Sequence, residues 1–194
     1  MTEALHRSTL ESPLGPIDLI STSRGLAAIG FGEGRDGPER LERWVRRTFP
    51  GARILPGVEG HEEAARQIQE YFDGRRRVFD LTLDLRGSPF QKAVWAHVER
   101  VPYGRTASYS EIALLVGRPK AFRAVGAASG ANPIPLVIPC HRIVGASGSL
   151  TGYGGGLSCK RWLLIHEGVL KDEPVQPSAP VQLDLFARRS ASVP

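Results

Sequence analysis

The chain has 194 residues, 41% of them hydrophobic and 23% charged, with a formal net charge of +5. That length suits one medium domain or two small ones with a real core, and no stretch approaches the roughly 20 apolar residues that a membrane span requires. Met1–His6 lacks the apolar core of a signal peptide, and two cysteines exclude a disulfide framework, so a reducing cytoplasm is the expected setting.

Residues 1–86 read as an α/β unit. Ile17–Ile20 and Leu26–Ile29 flank a turn at Arg24-Gly25, which predicts a hairpin. Leu41, Trp44, Val45 and Phe49 recur at helical spacing, and so do Ala64, Ala65, Ile68, Tyr71 and Phe72. Phe79, Leu81, Leu83 and Leu85 alternate with polar residues, the pattern of a half-buried strand. These aromatic and aliphatic stripes read as core, and nothing in this half carries chemistry.

From residue 87 the character turns mostly helical. Ser88-Pro89-Phe90-Gln91 is a helix start, with Ser as N-cap, Pro at the first position and Gln three residues after the cap. Phe90, Val94, Val98 and Val101 share its apolar face before Pro102 stops it. Ser108-Tyr109-Ser110-Glu111 is a second capping box, opening a helix that ends near Gly117. A third helix is expected to open at Pro119 and run to about Ser129. Two short helices joined by a turn at Gly117-Arg118 have the pattern of a helix-turn-helix.

The third helix is dominated by Ala121, Ala124, Gly126, Ala127 and Ala128, with Lys120 and Arg123 its long polar side chains. Readout of base edges in the major groove wants many long donors and acceptors. Small residues with one projecting arginine instead suit close, sequence-independent approach to a minor groove. The charge agrees: residues 88–170 hold nine Lys and Arg against three Asp and Glu, the footprint of a polyanion partner.

Pro139-Cys140-His141-Arg142 follows the apolar run Leu136-Val137-Ile138. A thiol with a base beside it and flexible backbone after it is a candidate nucleophile. Gly145, Gly148, Gly152 and Gly154–Gly156 let backbone N–H groups approach a ligand, without matching a phosphate-binding fingerprint. Ser158 is the expected cap of a last helix, with Trp162, Leu163 and Ile165 inward and Gly168 ending it. Glu167 sits in its last turn, where the helix dipole disfavours a carboxylate, and an acid placed against local rules hints at function. Residues 171–194 are rich in proline and polar residues and read as a disordered tail.

Taken together, Ser108-Tyr109, Arg123-Ala124-Val125-Gly126, Asn132-Pro133, Pro139-Cys140-His141-Arg142, Tyr153 with its glycines and His166-Glu167-Gly168 resemble the C-terminal domain of the O6-alkylguanine-DNA alkyltransferases. They occur in that family's order and spacing over residues 88–170, and the first half fits its ribonuclease-H-like α/β domain more loosely. The resemblance implies a suicide DNA-repair enzyme, a methylated-DNA–protein-cysteine methyltransferase. It would flip alkylated guanine, and also O4-alkylthymine, out of the duplex and transfer the alkyl group to a cysteine. Displacement at saturated carbon wants a soft, strong nucleophile, and a thiolate supplies one if its pKa of roughly 8.5 is lowered or a base takes its proton.

By this resemblance Cys140 is the acceptor, His141 its base through a bridging water, and Glu167 the group that orients the imidazole, in the manner of a triad. Tyr109 would donate to the departing guanine, and Asn132 would hold the segment around Cys140. Arg123 would fill the hole left by the flipped base, with Lys120, Ala121, Ala124 and Ser129 also along the DNA. Tyr153, Gly154, Gly155 and Val144 would wall the base pocket. Arg142 reads as structural or phosphate-directed, Cys159 as a packed thiol, and His97 and His166 as surface or packing residues. A sensor of alkylated DNA without catalysis is the alternative, disfavoured because such relatives lack the acceptor thiol. A cysteine hydrolase is weaker still, since adjacent Cys and His side chains diverge.

Two departures stand out. Some relatives carry a serine after the pocket tyrosine, where this chain has Gly154. Some bind a structural zinc in the N-terminal domain, but here only His6 and His61 precede Cys140 within the first domain, so no metal and no cofactor are expected. The protein is expected to be a monomer, with any cooperation confined to DNA. In the tail, Gln182-Leu183-Asp184-Leu185-Phe186 resembles the pentapeptide by which bacterial replication and repair proteins bind the sliding clamp.

Overall fold

The structure, a computed structural model, describes residues 3–31, 37–57 and 61–171. The tail pentapeptide at 182–186 lies outside these residues. Among the described residues no helix is long and apolar enough to cross a membrane.

The N-terminal half is one four-stranded sheet with helices on both faces. Strands β1 (Ala4–Leu10), β2 (Ile17–Thr22) and β3 (Gly25–Phe31) form an antiparallel meander, and β4 (Arg53–Pro56) adds in parallel to β1, giving the order β3-β2-β1-β4. The β2–β3 hairpin turns where expected. Gly25 has φ +131°, and a Cβ there would strike the backbone of Thr82, so glycine meets both demands. Helix α1 (Gly37–Thr48) covers one face, with Leu41, Val45 and Phe49 packed on Leu5, Ile20, Ala27 and Ala28. The other face carries Ile17, Leu19, Leu26 and Ile29 into a larger core shared with α2 (Glu62–Phe72) and with the C-terminal half.

The segment expected to be a strand at 79–85 keeps its alternation but not its ladder. Phe79, Leu81, Leu83 and Leu85 pack on the core, yet a single bridge, Leu26 to Leu83, ties it to the sheet. Leu26 exchanges bonds with Thr82 O and the Asp84 N–H, both 2.9 Å, and the chain then departs. Asp84 is instead anchored through side chains, accepting from Thr22, Arg24 and Arg86. Alternation reports one covered face, and a connector lying across a sheet edge has that too.

The C-terminal half is built from α3 (Pro89–Glu99), α4 (Tyr109–Leu115), α5 (Phe122–Gly130) and α6 (Gly156–His166), with the two-residue parallel strands β5 (Ala107–Ser108) and β6 (Ile143–Val144). Both capping boxes form: Ser88 accepts from the Gln91 N–H and Ser108 from the Glu111 N–H, while each partner side chain returns to the cap's backbone. Val94, Trp95 and Val98 face inward from α3, and Trp95 Nε1 donates to Ala128 O at 2.8 Å, fixing α5 across it.

Two helix starts differ from the sequence reading. Helix α5 begins at Phe122, because Pro119 and Lys120 occupy a turn in which the Ala121 N–H bonds Arg118 O. Helix α6 begins at Gly156 with Gly155 as its cap, so Ser158 lies within the first turn and caps nothing. A serine is a good N-cap, but here the glycine loop already supplies the cap three residues earlier. Along α6 the fully buried apolar residues are Leu163 and Leu164, with Trp162 and Ile165 half-buried.

Candidate active site

Cys140 opens a single 3-10 turn, Cys140–Arg142, and is buried. The chain reaches it through a tight loop organised by Asn132. The Asn132 Oδ1 accepts from the Ile134 N–H at 3.0 Å, and its Nδ2 donates to Ile138 O at 2.8 Å. Midway, Leu136 has φ +76°, a left-handed conformation that costs a leucine roughly 1 kcal/mol. The same Nδ2 lies 3.2 Å from Cys140 Sγ, placed to donate to sulfur. Asn132 thus bonds both to the loop's backbone and to the thiol.

His141 is fully buried, and its Nε2 lies 2.8 Å from Glu167 Oε1. With Nε2 donating to a carboxylate, the neutral ring keeps Nδ1 as acceptor, and Nδ1 is buried without a hydrogen-bond partner among the described residues. Burial drives the imidazole pKa down, and Glu167 offsets only part of this, so the ring is a neutral base. Cys140 is likewise pushed up by burial, against the Asn132 hydrogen bond and the charges of Lys160 and Arg40. The resting pair is therefore thiol and imidazole, uncharged.

Glu167 caps α6 and is surrounded by donors. Beside His141 it accepts from Arg142 Nε and Nη2, both 2.9 Å, from the Tyr71 hydroxyl at 2.8 Å and from the Gly104 N–H at 3.2 Å. Burial pushes its carboxyl up, but the bonds and charges of His141 and Arg142 outweigh that and hold it at about 2. Arg142 is buried too, donating Nη1 to Val101 O at 2.7 Å. It is a structural clamp on the carboxylate, and the phosphate-directed reading of this residue is excluded by its burial.

Sequence reasoning missed Tyr71 and Lys160. Tyr71 belongs to the core stripe of α2, and its polar tip was the signal that a buried donor needed a partner. Lys160 stands three and four residues before Leu163 and Leu164, on their face of α6, and is fully buried. Its Nζ donates to Ile143 O at 2.5 Å and to Thr151 O at 2.8 Å, tying the start of the glycine loop to its middle. Burial lowers its pKa to about 8.

The remaining expected residues divide between two faces. Tyr109, Arg123, Tyr153 and Gly154 line a cavity of about 460 Å³ open on the α5 side, together with Phe122, Gly126 and Thr151. Tyr109 OH stands 3.5 Å from Thr151 O, and its ring lies beside Gly126. Arg123, Ala124 and Lys120 are exposed. Ser129, expected along the DNA, is instead buried, its hydroxyl without a partner among the described residues, and lines a second cavity beside Asn132 and Cys140. Val144 pairs with Ser108 in the β5–β6 ladder and lines neither cavity, and Gly155 packs under Tyr153 as the cap of α6. The Tyr153 ring meets His141 edge-on at 6.4 Å, and its buried hydroxyl has no partner among the described residues, so burial raises its pKa well above normal. His166 stacks on Trp162 and bonds Tyr71 O, a packing residue as expected.

Comparison with known proteins covers both halves of the chain. Residues 5–85 match the 6-O-methylguanine DNA methyltransferase ribonuclease-like domain, and residues 89–169 match the DNA binding domain of the same family. The chain is 42% identical to the methylated-DNA–protein-cysteine methyltransferase of Mycobacterium tuberculosis, over 94% of this chain and 99% of that protein. It is also 42% identical to the enzyme of that name from Methanosarcina acetivorans, over 84% and 99%. A crystal structure of Mycobacterium tuberculosis OGT in complex with DNA superposes with a TM-score of 0.72 at 39% identity, covering 86% of this chain and 94% of that one. With both of its halves matched, the chain belongs to the 6-O-methylguanine DNA methyltransferase family.

Proposed function

We propose that this protein repairs DNA by transferring an alkyl group from O6 of guanine in a duplex to Cys140, once per molecule. The observation that carries the reading is a buried thiol with an amide donor on its sulfur, next to a neutral histidine anchored on a carboxylate. When the alkylated base arrives, the proton of Cys140 passes through a water to His141 Nδ1, and Glu167 stabilises the imidazolium. The sulfur attacks the alkyl carbon, the C–O6 bond breaks, and its electron pair stays on guanine, which Tyr109 protonates. A thioether remains, and it does not hydrolyse.

In this reading α4 and α5 act as a helix-turn-helix lying along the minor groove, and Arg123 fills the space of the flipped nucleotide, offsetting part of a cost of about a few kcal/mol. The N-terminal sheet with its helices is a ribonuclease-H-like layer. O4-alkylthymine, with a similar alkoxy group, is a second substrate. The protein works as a monomer in the cytoplasm, and Gln182–Phe186 docks on a sliding clamp.

Mass spectrometry tests the chemistry: after mixing with duplex containing O6-methylguanine, the Cys140 peptide gains one methyl group per molecule. Tight binding without a mass change would move the assignment to a non-catalytic sensor. For the tail, a clamp pull-down is expected to capture wild type and lose Phe186→Ala; equal capture of both, or of neither, removes that partner.

A further inference from the structure

Arg40 stands between the two cavities. One, about 420 Å³, lies under α1 and reaches Cys140, with Phe31, Trp44, Asn132 and Ser129 in its wall. The other opens toward α5 between Tyr109, Arg123 and Tyr153, and Cys140 is not in its wall. Arg40, Gly130 and Gly154 line both.

The position of the guanidinium depends on two features of this chain. Arg40 Nη2 donates to Gly130 O at the C-terminal end of α5, a favourable seat for a cation. On the opposite side, a Cβ at residue 154 would fall 2.7 Å from Arg40 Cζ and 2.9 Å from Nη2, well inside contact distance. The arginine from the N-terminal half thus fills the space that any side chain at 154 would need. Glycine there is not merely the lack of a hydroxyl, since it makes the seat for Arg40.

We propose that Arg40 is a gate and specificity-determining residue: a base entering from the α5 face reaches Cys140 only when Arg40 releases Gly130 O, and the displaced guanidinium limits the size of the group that follows. The proposal rests on Cys140 being the acceptor. It explains why the cavity facing the DNA-binding elements stops short of the thiol, and why α1, a hundred residues before Cys140, contributes a cation there.

The test uses iodoacetamide labelling of Cys140 in the full chain, followed by peptide mass spectrometry, with Cys159 read in the same digests. A pH series gives the plateau rate, which counts access and not ionisation. Arg40→Ala is expected to raise the Cys140 plateau about fivefold, the population shift that follows loss of one ordinary hydrogen bond. Gly154→Ala, which keeps the arginine but unseats it, is expected to raise it as well, and the double variant to equal Arg40→Ala alone. In a second arm, the ratio of transfer rates from duplexes with O6-benzylguanine and O6-methylguanine rises in Arg40→Ala. An unchanged or lower plateau in Arg40→Ala, in protein that melts like wild type, overturns the gate; additive effects of the two substitutions do so too. An unaltered benzyl-to-methyl ratio overturns the specificity role. Faster labelling in the variants with no transfer from DNA even by wild type leaves the gate standing and removes the acceptor role of Cys140.

Discussion

At the scale of single residues the site is governed by how burial is compensated. Glu167 is tolerated at a helix C-terminus because five donors reach it, so the dipole penalty of a few tenths of a kcal/mol is small beside them. Glu167→Gln leaves Arg142 buried without its anion and is expected to cost about 3–5 kcal/mol of stability, together with most of the transfer activity. The pH dependence follows the same carboxylate. Its folded pKa of about 2 lies below the ordinary value, so the stability it confers is full above about pH 4.5 and disappears as pH falls through 2. Melting temperature against pH should flatten across that window in the variant; parallel curves would contradict the argument. Cys140 gives the opposite sign. Burial raises its thiol, so iodoacetamide labelling should be slow at neutral pH and reach its midpoint at higher pH than an ordinary thiol does. A labelling midpoint below 8 would mean that a thiolate is already present at rest. Cys140 and His141 drew notice as a thiol beside an imidazole, and Glu167 as an acid set against the helix dipole; the structure brings His141 and Glu167 together. Arg142 could not be placed, since nothing in one sequence tells a buried guanidinium from an exposed one.

Elements set where those residues stand. The capping boxes were readable because the cap, its partner three residues on and the apolar face are all local. Ser108 is the clearest case: it starts α4 and thereby points Tyr109 toward the α5-side cavity. Ser108→Ala is expected to remove about 1 kcal/mol of stability and to slow reaction with duplex more than it slows labelling of Cys140 by iodoacetamide. Equal slowing of both would show that the cap matters only for folding. Strands β1 and β4 escaped the sequence reading, as did the true nature of residues 79–85. Parallel pairing of Arg53–Pro56 with Ala4–Arg7 joins segments some fifty residues apart, and no local periodicity encodes it. The starts of α5 and α6 slipped by three residues each for a related reason: proline and serine mark a permissible beginning, and the preceding turn decides which is used.

At the scale of the whole molecule the two halves share one core. The core that holds Ile17, Leu19 and Tyr71 of the first half also holds Trp95, Ile112 and Leu163 of the second, and the Ile29 N–H bonds Pro133 O across the junction at 2.8 Å. Denaturant unfolding followed at Trp44 and at Trp95 should therefore give coincident transitions, and two separated midpoints would show independent domains. Tyr71→Phe tests the coupling chemically, with an expected loss of about 1.5–3 kcal/mol and slower transfer although Tyr71 lies far from Cys140 in sequence. The phenol of Tyr71 also bears on how such a protein can be inherited. Recombination that replaced the first half with an unrelated α/β layer would preserve every residue from Cys140 to Glu167, yet it would leave the carboxylate one donor short and strip a wall from the core. A descendant that shed the first half would have to rebuild both before it could work. Between the two halves the core and the Tyr71 hydrogen bond run on without a seam.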